Sequence, residues 1–167
     1  EAIKSWWTLP GPSAFLRSVE RSVIDGAAGV TLVRSSDAPP VGLVEAMQRR
    51  IESETPFRAI GVRPDLGHDA PAPAHAVARA AGLRVATIRS ASDIIASTAL
   101  ADHVFFAFGI PESDWDRWSA FLRTFRREFE RRSGRPELPR LVCLVSSAIP
   151  ERETAPLRDV SLSYLGQ

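Results

Sequence analysis

Apolar residues recur along this chain in two alternating rhythms. Spacings of three and four mark one face of a helix, and short unbroken runs mark strands buried on both sides. Phe15, Leu16, Val19, Val23 and Ile24 follow the turn at Leu9–Pro12 and predict a first helix that Gly26 ends. Residues 30–34 form the first apolar run, and Val41, Leu43, Val44, Met47 and Ile51 predict a second helix after the loop SSDAPP. Behind Pro56, FRAIGV (57–62) predicts a second strand and RPDLGHDAPAPAH a proline-rich surface loop. A short helix from His75 to Ala81 stops at Gly82. LRVATI (83–88) then reads as a third strand, SASDIIASTAL as a helix capped by Ser90 or Ser92, and HVFFAFGI (103–110) as a buried fourth strand. The strongest helix spans 111–132, where Trp115, Trp118, Phe121, Leu122, Phe125 and Phe129 share one face before Gly134 and Pro136 end it. RLVCLVSS (140–147) is the fifth strand, and 160–165 in the tail reads as a weaker one.

Apolar strands alternating with helices specify a mainly parallel sheet covered on both faces, so the expected architecture is a three-layer α/β sandwich of about five strands. The 167 residues suit a single domain, with 1–10 as an N-terminal segment and 151–167 as a tail. In such a sheet a ligand binds outside the carboxyl ends of the strands.

Composition narrows the classes of function. Hydrophobic residues make up 44% and charged residues 25%, as in ordinary globular chains, and no apolar run is long enough to cross a bilayer. The N-terminus EAIKSWWTLPGP carries no continuous apolar signal segment, so a cytoplasmic location is expected. A net charge of +1 supplies no global field toward nucleic acid or an acidic membrane. Lys4 is the only lysine among twenty-one basic side chains, an arginine bias expected of a GC-rich bacterial genome, and it leaves no lysine near any strand-to-helix loop. The lone Cys143, inside LVCLV, reads as a buried thiol.

The order of elements, with a very apolar strand HVFFAFGI ahead of the long helix, resembles the core of P-loop ATPases of the AAA type over residues 9–150. In that family the loop after the first strand reads G-x-x-x-x-G-K-[ST]. Its glycines let backbone N–H groups reach phosphate, its lysine neutralises the charge and its hydroxyl holds magnesium. Here the place is taken by Ser35-Ser36-Asp37-Ala38-Pro39-Pro40-Val41-Gly42-Leu43. Two prolines remove donors, Asp37 repels phosphate, there is no lysine and the glycine arrives late. The acidic pair expected after the apolar strand is also missing, because Gly109-Ile110-Pro111 follows it. The resemblance therefore implies a degenerate member of the fold, a pseudo-ATPase without cofactor or metal that works by binding another protein. An unrelated flavodoxin-like sandwich is the alternative fold. No G-x-G-x-x-G, G-x-S-x-G or H-E-x-x-H motif is present, and His68, Asp69 and His75 do not have the spacing of a metal site.

Two sets of candidate residues follow. Ser35, Ser36, Asp37, Arg63, Asp65 and Arg89 are expected at the carboxyl edge of the sheet. They could line a pocket for a small anionic substrate, with Ser90, Asp93, Ser146 and Ser147 beside them, although Ser and Asp at such points ordinarily cap helices. Arg123, Arg127 and Arg131 stand at successive i, i+4 positions opposite the aromatic face of the long helix, diluted by Glu128 and Glu130. With the adjacent Trp6 and Trp7 they are the candidate partner surface. A protein partner is expected, with a nucleic acid the alternative occupant of the arginine face and a small-molecule enzyme the alternative function. The oligomeric state is left open by the sequence.

Overall fold

The computed structural model describes residues 10–24, 29–35, 42–64, 72–108, 110, 112–132, 138–146 and 161–164. The chain runs α1 (Pro10–Ile24), β1 (Val30–Ser35), α2 (Leu43–Glu54), β2 (Arg58–Val62), α3 (Pro73–Ala80), α4 (Ala91–Ala96), β3 (His103–Ala107), α5 (Trp115–Arg131), β4 (Arg140–Ser146) and β5 (Ser161–Tyr164). Short 3-10 turns occupy Val85–Thr87, Thr98–Leu100 and Glu112–Asp114.

All strand pairings are parallel, in the order β2-β3-β4-β1-β5. This differs from the dinucleotide-binding order 3-2-1-4-5-6 and from the flavodoxin-like order 2-1-3-4-5, so the flavodoxin alternative does not hold. Leaving β1, the chain passes over one face through α2 to β2. It then returns across the other face through α3 and α4 to β3 and through α5 to β4. Reversing both direction and face keeps one hand for all three connections, as parallel crossovers require.

The period-two alternation of the strands divides the core into two layers. Val33, Val104, Phe106, Val142 and Leu144 meet Phe15, Leu16, Val19 and Val23 of α1 and Leu43, Met47 and Ile51 of α2. Leu32, Phe105, Leu141 and Cys143 meet α3, α4 and the aromatic face of α5. On α5, Trp118 stands edge-on to Phe121 at 5.7 Å between ring centroids, and Phe121 is 6.1 Å from Phe125. Every one of the six apolar residues expected on that face is buried. The end of α1 is an exception to the expected stripe, since Ile24 is exposed.

Four of the five strands expected between residues 30 and 147 form, and LRVATI (83–88) does not. Arg84, Ala86 and Thr87 are exposed, while Leu83 and Ile88 reach toward the core. Local hydrogen bonds replace a ladder there: the Thr87 amide and hydroxyl both donate to the Arg84 carbonyl, at 3.1 and 2.8 Å. The helix cap at Ser90 follows at once, so the chain turns before an extended segment can pair. The weak run in the tail supplies instead the edge strand β5, which lies against β1.

Where α5 crosses the start of β1, Phe129 lies on Gly29. Gly29 has φ +73° and no room for a side chain, because a Cβ would overlap the Phe129 ring. Gly29→Ala combines left-handed strain with overpacking and should cost about 2–4 kcal/mol in chemical denaturation. Phe125→Ala, which empties a fully buried site, should lower stability by about 3–5 kcal/mol. The exposed Arg127→Ala should change it by less than about 1 kcal/mol. Equal small effects of these last two substitutions would contradict the packing of α5 on the sheet.

Candidate functional site

The order of strands sets which carboxyl ends can share a site. Connections leave β1 on one face and β3 on the other, with β4 between them, so a ligand crevice would open above these three strands. Ser35 ends β1 at this edge and Ser146 ends β4 in register beside it. Ser36, Asp37, Asp65, His68, Asp69 and Ser147 lie outside the described residues, as do Trp6 and Trp7. Arg63 is exposed just beyond β2. Because β3 and β4 separate β2 from β1, the backbones at Arg63 and Ser35 are more than about 14 Å apart, the width of three strand spacings.

Arg89 is not at the end of a strand, because the strand expected to carry it does not form. It lies beside the start of α4, where the Asp93 carboxylate accepts hydrogen bonds from the amides of Arg89 at 2.8 Å and Ser90 at 3.2 Å. Ser90 and Asp93 form a capping box, which satisfies the orphan donors of the helix start. Their polarity is explained by the helix they begin.

The start of α2 is where a phosphate-binding loop would deliver its cargo. Gly42 caps this helix in the left-handed conformation, φ 85°, and Leu43 begins it. Leu43 has no exposed surface and packs with Met47 and Ile51 against the sheet. Val44 follows, half-buried. The two positions directly after the glycine are thus apolar, and the first of them is part of the core.

Sequence periodicity passed over two arginines that the fold places in unusual surroundings. Arg34, next to the carboxyl end of β1, is 4% exposed on the face shared with Leu32 and is already engaged by an interaction there. A charged residue inside an apolar run was its only signal. At the opposite edge of the sheet, Arg140 lies over the Phe57 ring at 4.6 Å and near the Phe129 ring at 5.8 Å, and donates to the Leu138 carbonyl at 3.3 Å. Burial lowers its pKa from the ordinary arginine value. Nearby, His103 is held by Asp102 through Nδ1 at 2.8 Å and stacks on Phe105 at 5.8 Å between ring centroids. His103 is thus a boundary histidine whose ring nitrogen is partnered. Among the described residues no group of His, Cys, Asp and Glu is arranged to hold a metal ion, and no helix is long and apolar enough to cross a membrane.

On α5 the candidate partner residues differ from one another. Arg123 and Arg127 are exposed, whereas Arg131, also exposed, bridges to Glu128 at 2.9 Å. Arg126 pairs with Glu130 at 3.2 Å. The expected stripe of three cations is reduced to two that form no ion pair among the described residues.

No protein-family description matches the chain, and no curated protein matches it. Among solved structures, it is similar to a chain in the structure of Drosophila ORC bound to AT-rich DNA and Cdc6, at 10% sequence identity and a TM-score of 0.43. The match covers 91% of this chain and 55% of that one, so this chain spans about half the length of the solved chain it resembles.

Cys143 lies in the middle of β4 with no exposed surface, and burial pushes its thiol pKa well above the usual range. The native chain should therefore resist alkylation or disulfide exchange at neutral pH and become reactive on unfolding. Mass spectrometry after brief iodoacetamide treatment, with and without denaturant, checks this. Rapid native labelling would contradict the packing of β4.

Proposed function

We propose that this chain is a non-catalytic α/β module related in architecture to P-loop ATPases, which acts by binding protein rather than by turning over nucleotide. The observation that carries the reading is Leu43. In the family pattern the glycine that opens the helix is followed by lysine and then by Ser or Thr, the groups that neutralise phosphate and hold magnesium. Here those places hold Leu43 and Val44, and Leu43 is built into the core between α2 and the sheet. The composition of the preceding loop, with Asp37, Pro39 and Pro40, supports the same conclusion, because it removes amide donors and adds a negative charge where phosphate would sit.

Such a module would serve as an inactive partner or accessory subunit of an active ATPase. Its contact surface would be drawn from Trp6 and Trp7 ahead of α1 and from the exposed arginines of α5. The near-neutral net charge favours a protein partner over a polyanion, since nucleic-acid binding without a dominant basic field is weak.

Calorimetric titration of the full chain with MgATP tests the loss of nucleotide binding. The expected result is no saturable heat in the micromolar range. A dissociation constant at or below about 1 µM, equivalent to about 8 kcal/mol of binding, would overturn the reading, because a loop of this composition has no source for that energy.

A further inference from the structure

The charges along α5 divide into two groups. Asp114 and Arg117 form a double hydrogen bond at 2.7 and 2.8 Å, Arg126 pairs with Glu130, and Glu128 lies between Arg131 at 2.9 Å and Arg132 at 4.0 Å. Four charges remain without a counter-ion among the described residues: Glu112, Asp116, Arg123 and Arg127. All four are exposed, and so is Ala120, midway between them. Counted at 100° per residue, Asp116, Ala120, Arg123 and Arg127 lie on one side of α5, opposite the buried aromatic face, and Glu112 stands in the 3-10 turn that leads into the helix.

Their order is acid, acid, base, base, with separations of four, seven and four residues. Reversing the direction of the helix exchanges acids for bases at matching places. The pattern is therefore complementary to itself in an antiparallel pairing. Within one chain Arg123 and Arg127 are like charges about one helical turn apart, which is unfavourable. Asp116 and Arg123 stand about 10 Å apart along the axis and cannot neutralise each other. The helix dipole favours acids in the first turn and bases in the last, but its influence fades within one turn, and Arg123 sits in the middle of Trp115–Arg131.

We propose that the exposed face of α5 is a two-fold contact between two copies of this chain. The helices run antiparallel, with Asp116 of one copy against Arg123 of the other, Glu112 against Arg127, and Ala120 near the axis. The small Ala120 side chain permits the close helix approach, about 8 Å between axes, that such a pairing needs. An isologous contact of this kind repeats each ion pair twice, giving four across the interface. Exposed ion pairs are individually weak and screened by salt, so the association is modest and salt-sensitive. The inference rests on the proposed function only in treating α5 as a contact surface. A chain that fails to self-associate yet still does not bind MgATP would refute the dimer and leave that reading in place.

Sedimentation velocity on the full chain, as a concentration series at low and high salt, provides the test. The wild type should form dimers at low salt and lose them as salt screens the pairs. Arg123→Glu/Arg127→Glu and Glu112→Arg/Asp116→Arg should each weaken self-association by at least about tenfold. An equimolar mixture of the two variants should form a heterodimer, and the chain carrying all four substitutions should recover self-association. Circular dichroism and denaturation midpoints confirm that each variant is folded, which is expected because every altered side chain is exposed. The proposal is overturned by a wild type that is monomeric throughout the series, by dimers that either charge reversal leaves intact, or by variants that do not associate when mixed. It is equally overturned if a monomeric wild type binds mixed-sequence DNA or RNA and Arg123→Glu/Arg127→Glu abolishes that binding.

Discussion

The contact on which the rest of this molecule depends is the aromatic face of α5 laid across β1, β3 and β4. Trp118, Phe121, Leu122, Phe125 and Phe129 cover one side of a sheet whose central strands are buried on both sides, and none of these strands could lose its cover without exposing a continuous apolar surface. The contact is closest at its end, where Phe129 lies on Gly29 and the Gly29 carbonyl accepts the Leu141 amide at 2.9 Å. One glycine thus lets α5 approach β1 while β1 is tied to β4. The opposite layer is thinner, with α1 and α2 supplying seven buried side chains to a cluster built on Val33, Val104, Phe106, Val142 and Leu144.

That packing has consequences for function at both ends of the sheet. Because α2 must bury Leu43 to cover its side of the sheet, the helix start that would cradle phosphate in an ATPase is committed to the core. The same demand for coverage turns the aromatic side of α5 inward and presents its charged side to the outside. In α5 the fold holds a rigid scaffold on which charges stand at fixed spacing. The proposed contact uses this property, since a helix anchored by six buried apolar side chains loses little further freedom on meeting a partner.

The fold was largely legible in the chain because two-sided burial imprints itself locally. A run such as HVFFA can be satisfied only at the centre of a sheet, and a face such as Trp115–Trp118–Leu122–Phe125–Phe129 only by packing. Ser90 and Asp93 were legible as a cap for the same reason, since the partners that satisfy them are three residues apart. The candidate pocket was less legible. It required LRVATI to be a strand, and six residues of strand-like composition do not reveal that Thr87 would bond back to Arg84. Without that strand Arg89 lies at the cap of α4, and Arg63 is separated from Ser35 by two strands.

By itself the sequence determined most of the alternation of helices and strands, with 83–88 the exception, the buried face of α5 and the composition of the loop after β1, because periodicity and composition are properties of neighbouring residues. Only the tertiary structure decided the strand order β2-β3-β4-β1-β5, the recruitment of 161–164 to the edge, the burial of Arg34 and which charges of α5 are already neutralised. The physical reason is common to all four. Ladder pairing, burial and side-chain ion pairing depend on which groups meet in space, and the same arginine is a solvated side chain, a buried cation or an unpaired charge according to what the fold brings beside it.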